Sequence, residues 1–151
     1  MKTNAVKYGL ALSASIAIWI ALMHSLGLYN GEKSDLSFVD YFYIVIPIVG
    51  LYLGIKEKKE RELRGKMTLQ QGIREGFIIS LVYGITSPFI FYVYYTMVNP
   101  QAIDFAKRVY SMMRFTNNEV ILADMAAQFI FAVIGGIVIS TVVSYLLTKK
   151  K

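Results

Sequence analysis

The chain has 151 residues, of which 56% are apolar and only 17% are charged. Because soluble domains carry about 25% charged residues, this composition argues against a soluble globular protein. The absence of cysteine excludes disulfides, thiolate metal sites and lipid-modified cysteines. The net charge is +6, but the basic residues do not form a basic face on a soluble module. We therefore expect no nucleic-acid partner.

Charged residues are absent from four stretches, and these stretches define the predicted spans in chain order. The stretches contain 24, 15, 28 and 24 residues and cover 8–31, 41–55, 76–103 and 125–148. About 20 helical residues cross the ~30 Å hydrocarbon layer, so the first, third and fourth stretches are long enough. The second is long enough if Phe38 and Val39 extend it and Lys56 and Lys58 snorkel to the interface. The sequence therefore predicts one transmembrane domain, with spans at about 8–29, 38–55, 76–98 and 125–148.

Basic residues are unevenly distributed between the segments that connect these spans. Segments 1–7, 56–75 and 149–151 carry 2, 7 and 3 Lys and Arg residues, or 12 of the 16 in the chain. The remaining 4 lie in segments 30–40 and 99–124. Because short cytoplasmic loops are enriched in Lys and Arg, this distribution predicts that both termini are cytoplasmic.

The segment between the third and fourth spans has the pattern of an amphipathic helix. Asn99 and Pro100 are typical of a helix start, and apolar residues then recur at three- and four-residue spacing up to Phe115. Thr116-x-x-Glu119 is a capping box that would begin the fourth long helix. We predict that residues 100–115 form an interfacial helix lying on the outer membrane surface.

Small residues recur every four positions on each predicted span. Such faces let helix backbones approach closely in lipid, where burial alone cannot drive association because lipid tails are as apolar as leucine. The faces could join helices within one bundle or join two copies of the chain. We favour the bundle, since four helices can satisfy one another. The predicted packing residues are Gly50, Gly54, Gly76, Ser80, Gly84, Gly136 and Ser140.

Three polar side chains, His24, Asp124 and Gln128, are predicted near the outer part of the bundle. A polar group at membrane depth is a functional-site hypothesis, but we favour a structural hydrogen bond between helices for His24. A single histidine without cysteine offers too few ligands for a metal. Nucleophile-elbow, zinc-protease, phosphate-loop and dinucleotide motifs are all missing from the sequence. We therefore predict no metal, no cofactor and no catalytic residue, and we rank an enzyme third among the function classes.

Short motifs along nearly the whole chain resemble those of a known family. They are Lys-Tyr-Gly at 7–9, Gly-Ile-Lys-Glu at 54–57, Gln-Gly-Ile-Arg-Glu-Gly-Phe at 71–77 and Tyr-Tyr-x-x-x-Asn-Pro at 94–100. The basic C-terminal tail adds to the likeness. The family consists of small bacterial four-helix membrane proteins catalogued as domain of unknown function 4199. The resemblance implies a location in the bacterial inner membrane, and it implies no activity and no functional residue.

Together these patterns predict an all-α, integral membrane four-helix bundle with an interfacial amphipathic helix between spans three and four. The preferred function is an accessory or scaffolding subunit that acts through the lipid bilayer and through a membrane-protein partner or a homo-oligomer. The alternative is a small transporter or channel component that uses the polar groups near the outer side, with Pro47 and Pro88 as hinges. The scarcity of charged residues within the spans argues against that alternative.

Overall fold

The computed structural model describes residues 3–28 and 38–149, and these two ranges contain helices and no strand. Within them, five α-helices follow one another. They are α1 (Thr3–Ser25), α2 (Phe38–Glu57), α3 (Leu69–Val93), α4 (Ala102–Val109) and α5 (Asn117–Lys149). A single π-helical turn follows α2 at Lys58–Glu62, and another follows α3 at Tyr94–Val98. The predicted all-α class is confirmed.

Local sequence signals set the starts of α3 and α5. The Gln71 N–H donates to the Thr68 hydroxyl at 3.3 Å, and the Thr68 N–H donates to the Gln71 side chain at 2.9 Å. This reciprocal pair is a capping box, and it satisfies two backbone donors that the first turn of α3 would otherwise leave free. At α5, the Thr116 N–H donates to the Glu119 carboxylate at 2.7 Å. Before α3, Gly65 takes a φ of +82°, which glycine adopts without strain.

Among the described residues, three helical segments are long and apolar enough to cross a membrane: Asn4–Ser25, Leu69–Val98 and Asn117–Lys149. The chain is therefore a helical membrane protein with three candidate spans. The second predicted span lies in α2, whose 20 residues are not among these three segments. The helices are longer than the predicted spans. The first residue of α1 is 3, that of α3 is 69 and that of α5 is 117. The predicted end of the first span, residue 29, lies outside the described residues.

Large apolar side chains face outward along the candidate spans. Ile18, Phe89 and Phe131 are 68%, 62% and 74% exposed. An apolar surface of this kind is unfavourable in water and compatible with lipid, so these side chains imply contact with the bilayer.

The centre of the bundle is α3, which packs against α1, α2 and α5. Its core residue Ile79 is fully buried together with Ile16 of α1 and Leu51 of α2. Pro88 is also buried within α3, where a proline removes one backbone donor. Two residues earlier, the Thr86 hydroxyl donates to the Val82 carbonyl at 2.8 Å.

The segment predicted as an interfacial helix over residues 100–115 differs from the prediction in length and in what covers it. Its helix, α4, ends at Val109, and turns follow it. The N-cap position of α4 is Gln101, and the Asn99 side chain donates to the Tyr94 hydroxyl at 3.1 Å. Ala102, Ile103 and Ala106 are at most 8% exposed, and α4 packs against α5. The apolar face of α4 is therefore covered by protein, because α5 returns directly beside it.

Candidate functional site

The closest helix pair is α3 and α5, which run antiparallel with small residues facing small residues. A step of four residues forward on α3 is matched by a step of four residues back on α5. A Cβ added at the glycine of the first three pairs would overlap the facing serine side chain. We call this contact the α3–α5 seam. Its pairs are Gly72 with Ser144, Gly76 with Ser140, Ser80 with Gly136, and Gly84 with Ala132.

The serines of the α3–α5 seam are buried without bonding across it. Ser80, Ser140 and Ser144 are at most 2% exposed. The Ser140 hydroxyl donates to the Gly136 carbonyl of its own helix. The Ser144 hydroxyl has no hydrogen-bond partner within the described part of the chain. Close packing of backbones and short side chains, rather than bonding between these hydroxyls, therefore joins the two helices here.

The two remaining predicted packing residues, Gly50 and Gly54, lie on α2 and face large side chains. Gly50 receives the end of the Leu12 side chain from α1. A Cβ added at Gly54 would lie 2.6 Å from Ile79 Cδ1 and 3.1 Å from Tyr8 Cγ. The glycines of α2 thus make room for large side chains from α1 and α3. Only one side of each of these contacts is small.

Charged and polar residues gather where α1 and α3 begin and α2 and α5 end, which we call the charged end. Glu75 of α3 is only 5% exposed. Its carboxylate accepts a hydrogen bond from Asn4 Nδ2 at 3.2 Å and lies 3.5 Å from Lys58 Nζ. Burial lowers the pKa of Lys58, but the hydrogen bond to Glu62 and the charge of Glu75 outweigh it and leave that pKa raised. Lys58 therefore stays protonated and joins α2 to α3.

A second cluster at the charged end is centred on Glu57. Its carboxylate accepts a hydrogen bond from the Tyr8 hydroxyl of α1 and lies 3.4 Å from Lys7 Nζ and 3.2 Å from Arg61 Nη1. The hydrogen bond from Tyr8, followed by the contacts with the two cations, lowers the pKa of Glu57 below its ordinary value. The ionised carboxylate consequently holds the start of α1 against the end of α2.

Lys59 joins the charged end to α5. Its Nζ donates to the Leu147 carbonyl at 2.7 Å. The last carbonyls of a helix have no partner within the helix, and the helix dipole favours a cation there. Together with the Glu75 and Glu57 clusters, this bond connects all four long helices at the charged end.

The opposite end of the bundle contains His24 and Asp124, each beside a tyrosine of the π-helical turn after α3. His24 Nδ1 lies 3.5 Å from the Tyr94 hydroxyl, and the two rings meet edge to face. The Tyr95 hydroxyl donates to Asp124 Oδ2 at 3.1 Å. We call these four residues the tyrosine end. They link α1 and α5 through α3, so both predicted polar residues contact neighbouring helices.

Gln128 lies apart from that cluster. It lines a cavity of about 110 Å³ together with Pro47, Ser80, Tyr43 and Tyr83. The hydroxyls of Tyr43 and Tyr83 are 3.1 Å apart in its wall. The structure therefore brings His24 and Asp124 into one network and places Gln128 in a separate cavity.

Two features of the site were missed by sequence reasoning. They are the burial of Glu75 between other helices and the contacts of Tyr94 and Tyr95 with His24 and Asp124. The missed signal for Glu75 is its spacing, since it lies three residues after Gly72 and four before Ile79, on the packed face of α3. For Tyr94 and Tyr95, the missed signal is their position. The two tyrosines are adjacent and are predicted at the same depth in the membrane as His24 and Asp124.

Within residues 3–28 and 38–149, no group of three or more His, Cys, Asp or Glu side chains could hold a metal ion. The acidic side chains of the charged end lie instead beside Lys7, Lys58 and Arg61.

Comparison with known proteins gives one match. Residues 7–149 match a family model described as "Protein of unknown function (DUF4199)". No curated protein and no solved structure matches the chain. The resemblance noted in the sequence motifs is confirmed over nearly the whole chain.

Proposed function

The chain therefore belongs to the DUF4199 family, and on that premise we propose that it is an accessory or scaffolding subunit of the bacterial cytoplasmic membrane. It acts through contacts with lipid and with other membrane proteins. One observation carries this proposal: the polar side chains at both ends of the bundle bind one another across helices. The surface left for contacts with a protein partner is then the apolar outer face.

We further propose that α2 is a fourth span and that both termini are cytoplasmic. The charged end holds the ends of all four long helices, with Lys7, Lys58 and Lys59 in bonds that join them. If α2 did not cross the membrane, the ends of α1 and α3 that meet there would lie on opposite sides of it. The excess of Lys and Arg in the segments at this end supports a cytoplasmic position.

Cysteine labelling tests this topology, because the chain has no cysteine of its own. Single cysteines at Lys66, between α2 and α3, and at Asn118, at the start of α5, are both exposed. In intact cells, an impermeant thiol reagent should label Asn118→Cys and spare Lys66→Cys, and membrane disruption should expose both. Labelling of Lys66→Cys in intact cells would disprove the cytoplasmic position of the loop between α2 and α3.

Photo-crosslinking tests the scaffolding role directly. A photoreactive amino acid is placed in the full chain at Ile18, Phe89 or Phe131, which face outward from α1, α3 and α5. We expect a discrete protein adduct from one of the three faces and lipid adducts from the others. Buried Ile16 supplies the matched control, because its reactive group should crosslink only within the chain. Lipid adducts alone at all three outward positions would contradict the scaffolding role.

A second candidate function, a transporter or channel component, is favoured by the cavity beside Gln128. That cavity is lined by Pro47 of α2 and by the hydroxyl-bearing residues Ser80, Tyr43 and Tyr83. Polar groups that line a cavity at membrane depth are typical of solute pathways. Mass spectrometry of the protein purified in mild detergent tests this function. A bound small solute that is retained by the parent and lost from Gln128→Leu would support transport over scaffolding.

A further inference from the structure

An open groove runs between α1 and α2 on the outer surface of the bundle. Its volume is about 390 Å³, and α1 lines it with Ala11, Ser15 and Trp19, while α2 lines it with Val45, Val49 and Leu53. The residues on each helix are four positions apart, so each set lies along one face. We call this space the α1–α2 groove.

The α1–α2 groove meets a polar pocket at the charged end. The pocket has a volume of about 270 Å³ and is lined by Asn4, Lys7, Glu57, Arg61 and Glu62. Tyr8 connects the two spaces, because its ring lines the groove and its hydroxyl donates to Glu57 in the wall of the pocket. The apolar groove and the charged pocket thus lie on either side of the bond between Tyr8 and Glu57, at one end of the bundle.

We propose that one phospholipid occupies both spaces, with an acyl chain in the α1–α2 groove and a phosphoethanolamine headgroup in the polar pocket. The length of the groove fits this occupant. From Tyr8 to Trp19 is eleven helical steps, or about 16 Å at 1.5 Å per residue. That distance is about half of the ~30 Å hydrocarbon layer, which is the depth of one leaflet.

The charges of the pocket select the headgroup. Two cations, Lys7 and Arg61, line the pocket together with two carboxylates, Glu57 and Glu62. Lys58 contacts Glu62 from beside the pocket and is balanced in turn by Glu75, so the formal charges cancel. Lys7 and Arg61 can bind the phosphate, and their side chains are 62% and 78% exposed. The primary ammonium can donate hydrogen bonds to the carboxylates. A zwitterion with N–H donors therefore complements both signs.

Other phospholipids fit the pocket less well. A choline headgroup carries the same charges but has no N–H to donate, so it leaves the carboxylates without hydrogen bonds. An anionic glycerol headgroup would bring a net negative charge to a pocket whose formal charges already cancel. This inference rests on the lipid-contacting part of the proposed function and does not depend on a protein partner.

Native mass spectrometry of the purified full chain tests the headgroup preference. Phosphatidylethanolamine, phosphatidylcholine and phosphatidylglycerol with identical acyl chains are titrated into the detergent-solubilised protein. We expect one phosphatidylethanolamine per chain, bound about tenfold more tightly than either competitor. Equal affinities for the three lipids would overturn the headgroup assignment.

A pair of alanine substitutions tests the groove. Ala11→Leu places a larger side chain in the α1–α2 groove, whereas Ala14→Leu adds the same atoms to an exposed position of α1 that does not line it. We expect about tenfold weaker phosphatidylethanolamine binding for Ala11→Leu and less than about a twofold change for Ala14→Leu. Equal effects of the two substitutions would overturn the groove as the site.

If Ala11→Leu does not fold, Val49→Phe provides a second test, because Val49 lines the opposite wall of the α1–α2 groove. A folded Val49→Phe protein that binds the lipid as tightly as the parent would overturn the proposal. Because these measurements use the isolated chain, they can fail while photo-crosslinking succeeds, and the reverse also holds. The lipid site and the scaffolding role are thus refuted separately.

Discussion

The α3–α5 seam and the α1–α2 contact both contain glycines, but the residues that face those glycines differ in size. In the seam, small residues on both helices face each other in a single register, as Gly76 and Ser140 do. Between α1 and α2, Gly50 is small but the residue that it receives is Leu12. The seam lets the backbones meet, whereas the α1–α2 contact leaves the groove beside it.

Because lipid tails compete equally well for large apolar side chains, close backbone approach is the main gain from helix association. The seam has that gain along four pairs of small residues. At Gly50 a large side chain fills the contact instead, and space remains beside it for an acyl chain. The seam accounts for the stability of the bundle, and the α1–α2 groove accounts for its proposed binding site.

The largest effect is expected from overpacking the α3–α5 seam with Gly136→Leu. A branched side chain at this position would overlap Ser80, which is fully buried on α3. We expect the free energy of unfolding in detergent to fall by ~1–3 kcal/mol. Ile137→Leu, a volume-conserving change at the exposed neighbouring position, is the control and should have little effect. Equal losses of stability would show that the seam is no different from the lipid-facing surface.

A smaller and more discriminating effect is expected from alanine at Gly136 and at Gly50. Alanine favours a helix over glycine by up to ~1 kcal/mol, so both substitutions begin with the same gain. At Gly136 the new Cβ meets the short, buried Ser80, and the helices must separate. At Gly50 it meets the flexible end of Leu12, which can turn toward the groove.

We therefore expect Gly136→Ala to lower the free energy of unfolding by ~1 kcal/mol and Gly50→Ala to leave it nearly unchanged. Urea or thermal unfolding in the same detergent measures both. A greater loss at Gly50 would reverse the comparison between the two helix pairs.

The smallest expected effect is a loss of stability at acid pH. It arises from the contact between α1 and α2. Because the pKa of Glu57 is lowered from 4.5 in the folded chain, its contribution is present above that value and is lost as the pH falls below it. Tyr8→Phe removes the main cause of that shift. The stability difference between the parent and Tyr8→Phe should therefore shrink as the pH falls through 4.5. A difference that is independent of pH between 7 and 4 would contradict this role of the Tyr8 hydroxyl.

The sequence could predict the helices because their signals are local. Apolar runs set the spans, and Thr68 with Gln71 sets the start of α3. Spacing alone also indicated a small-residue face that includes Gly76, but it could not say which helix meets that face. Periodicity specifies one surface of a helix and carries no information about the partner.

Long-range contacts account for the parts that could not be predicted. Spacing places Glu75 on the packed face of α3, but its partners Asn4 and Lys58 come from distant parts of the chain, and no local pattern identifies them. The apolar face of α4 has the pattern of a membrane-surface helix, and only the return of α5 beside it decides that protein covers Ala102 and Ile103. The α1–α2 groove likewise arises from two helices whose separate sequences show no gap.

A disulfide across the α3–α5 seam tests the central claim most directly, namely that this seam forms within one chain. A Cβ added at Gly84 lies 3.4 Å from Ala132 Cβ, close to the ~3.5–4.5 Å that a disulfide needs. Gly84→Cys with Ala132→Cys should therefore oxidise in native membranes to a monomer whose two halves stay joined after protease cleavage between α4 and α5. Ile85→Cys with Ala132→Cys, with residue 85 exposed to lipid, should not. Disulfide-linked dimers, or no bond from Gly84→Cys, would contradict the account.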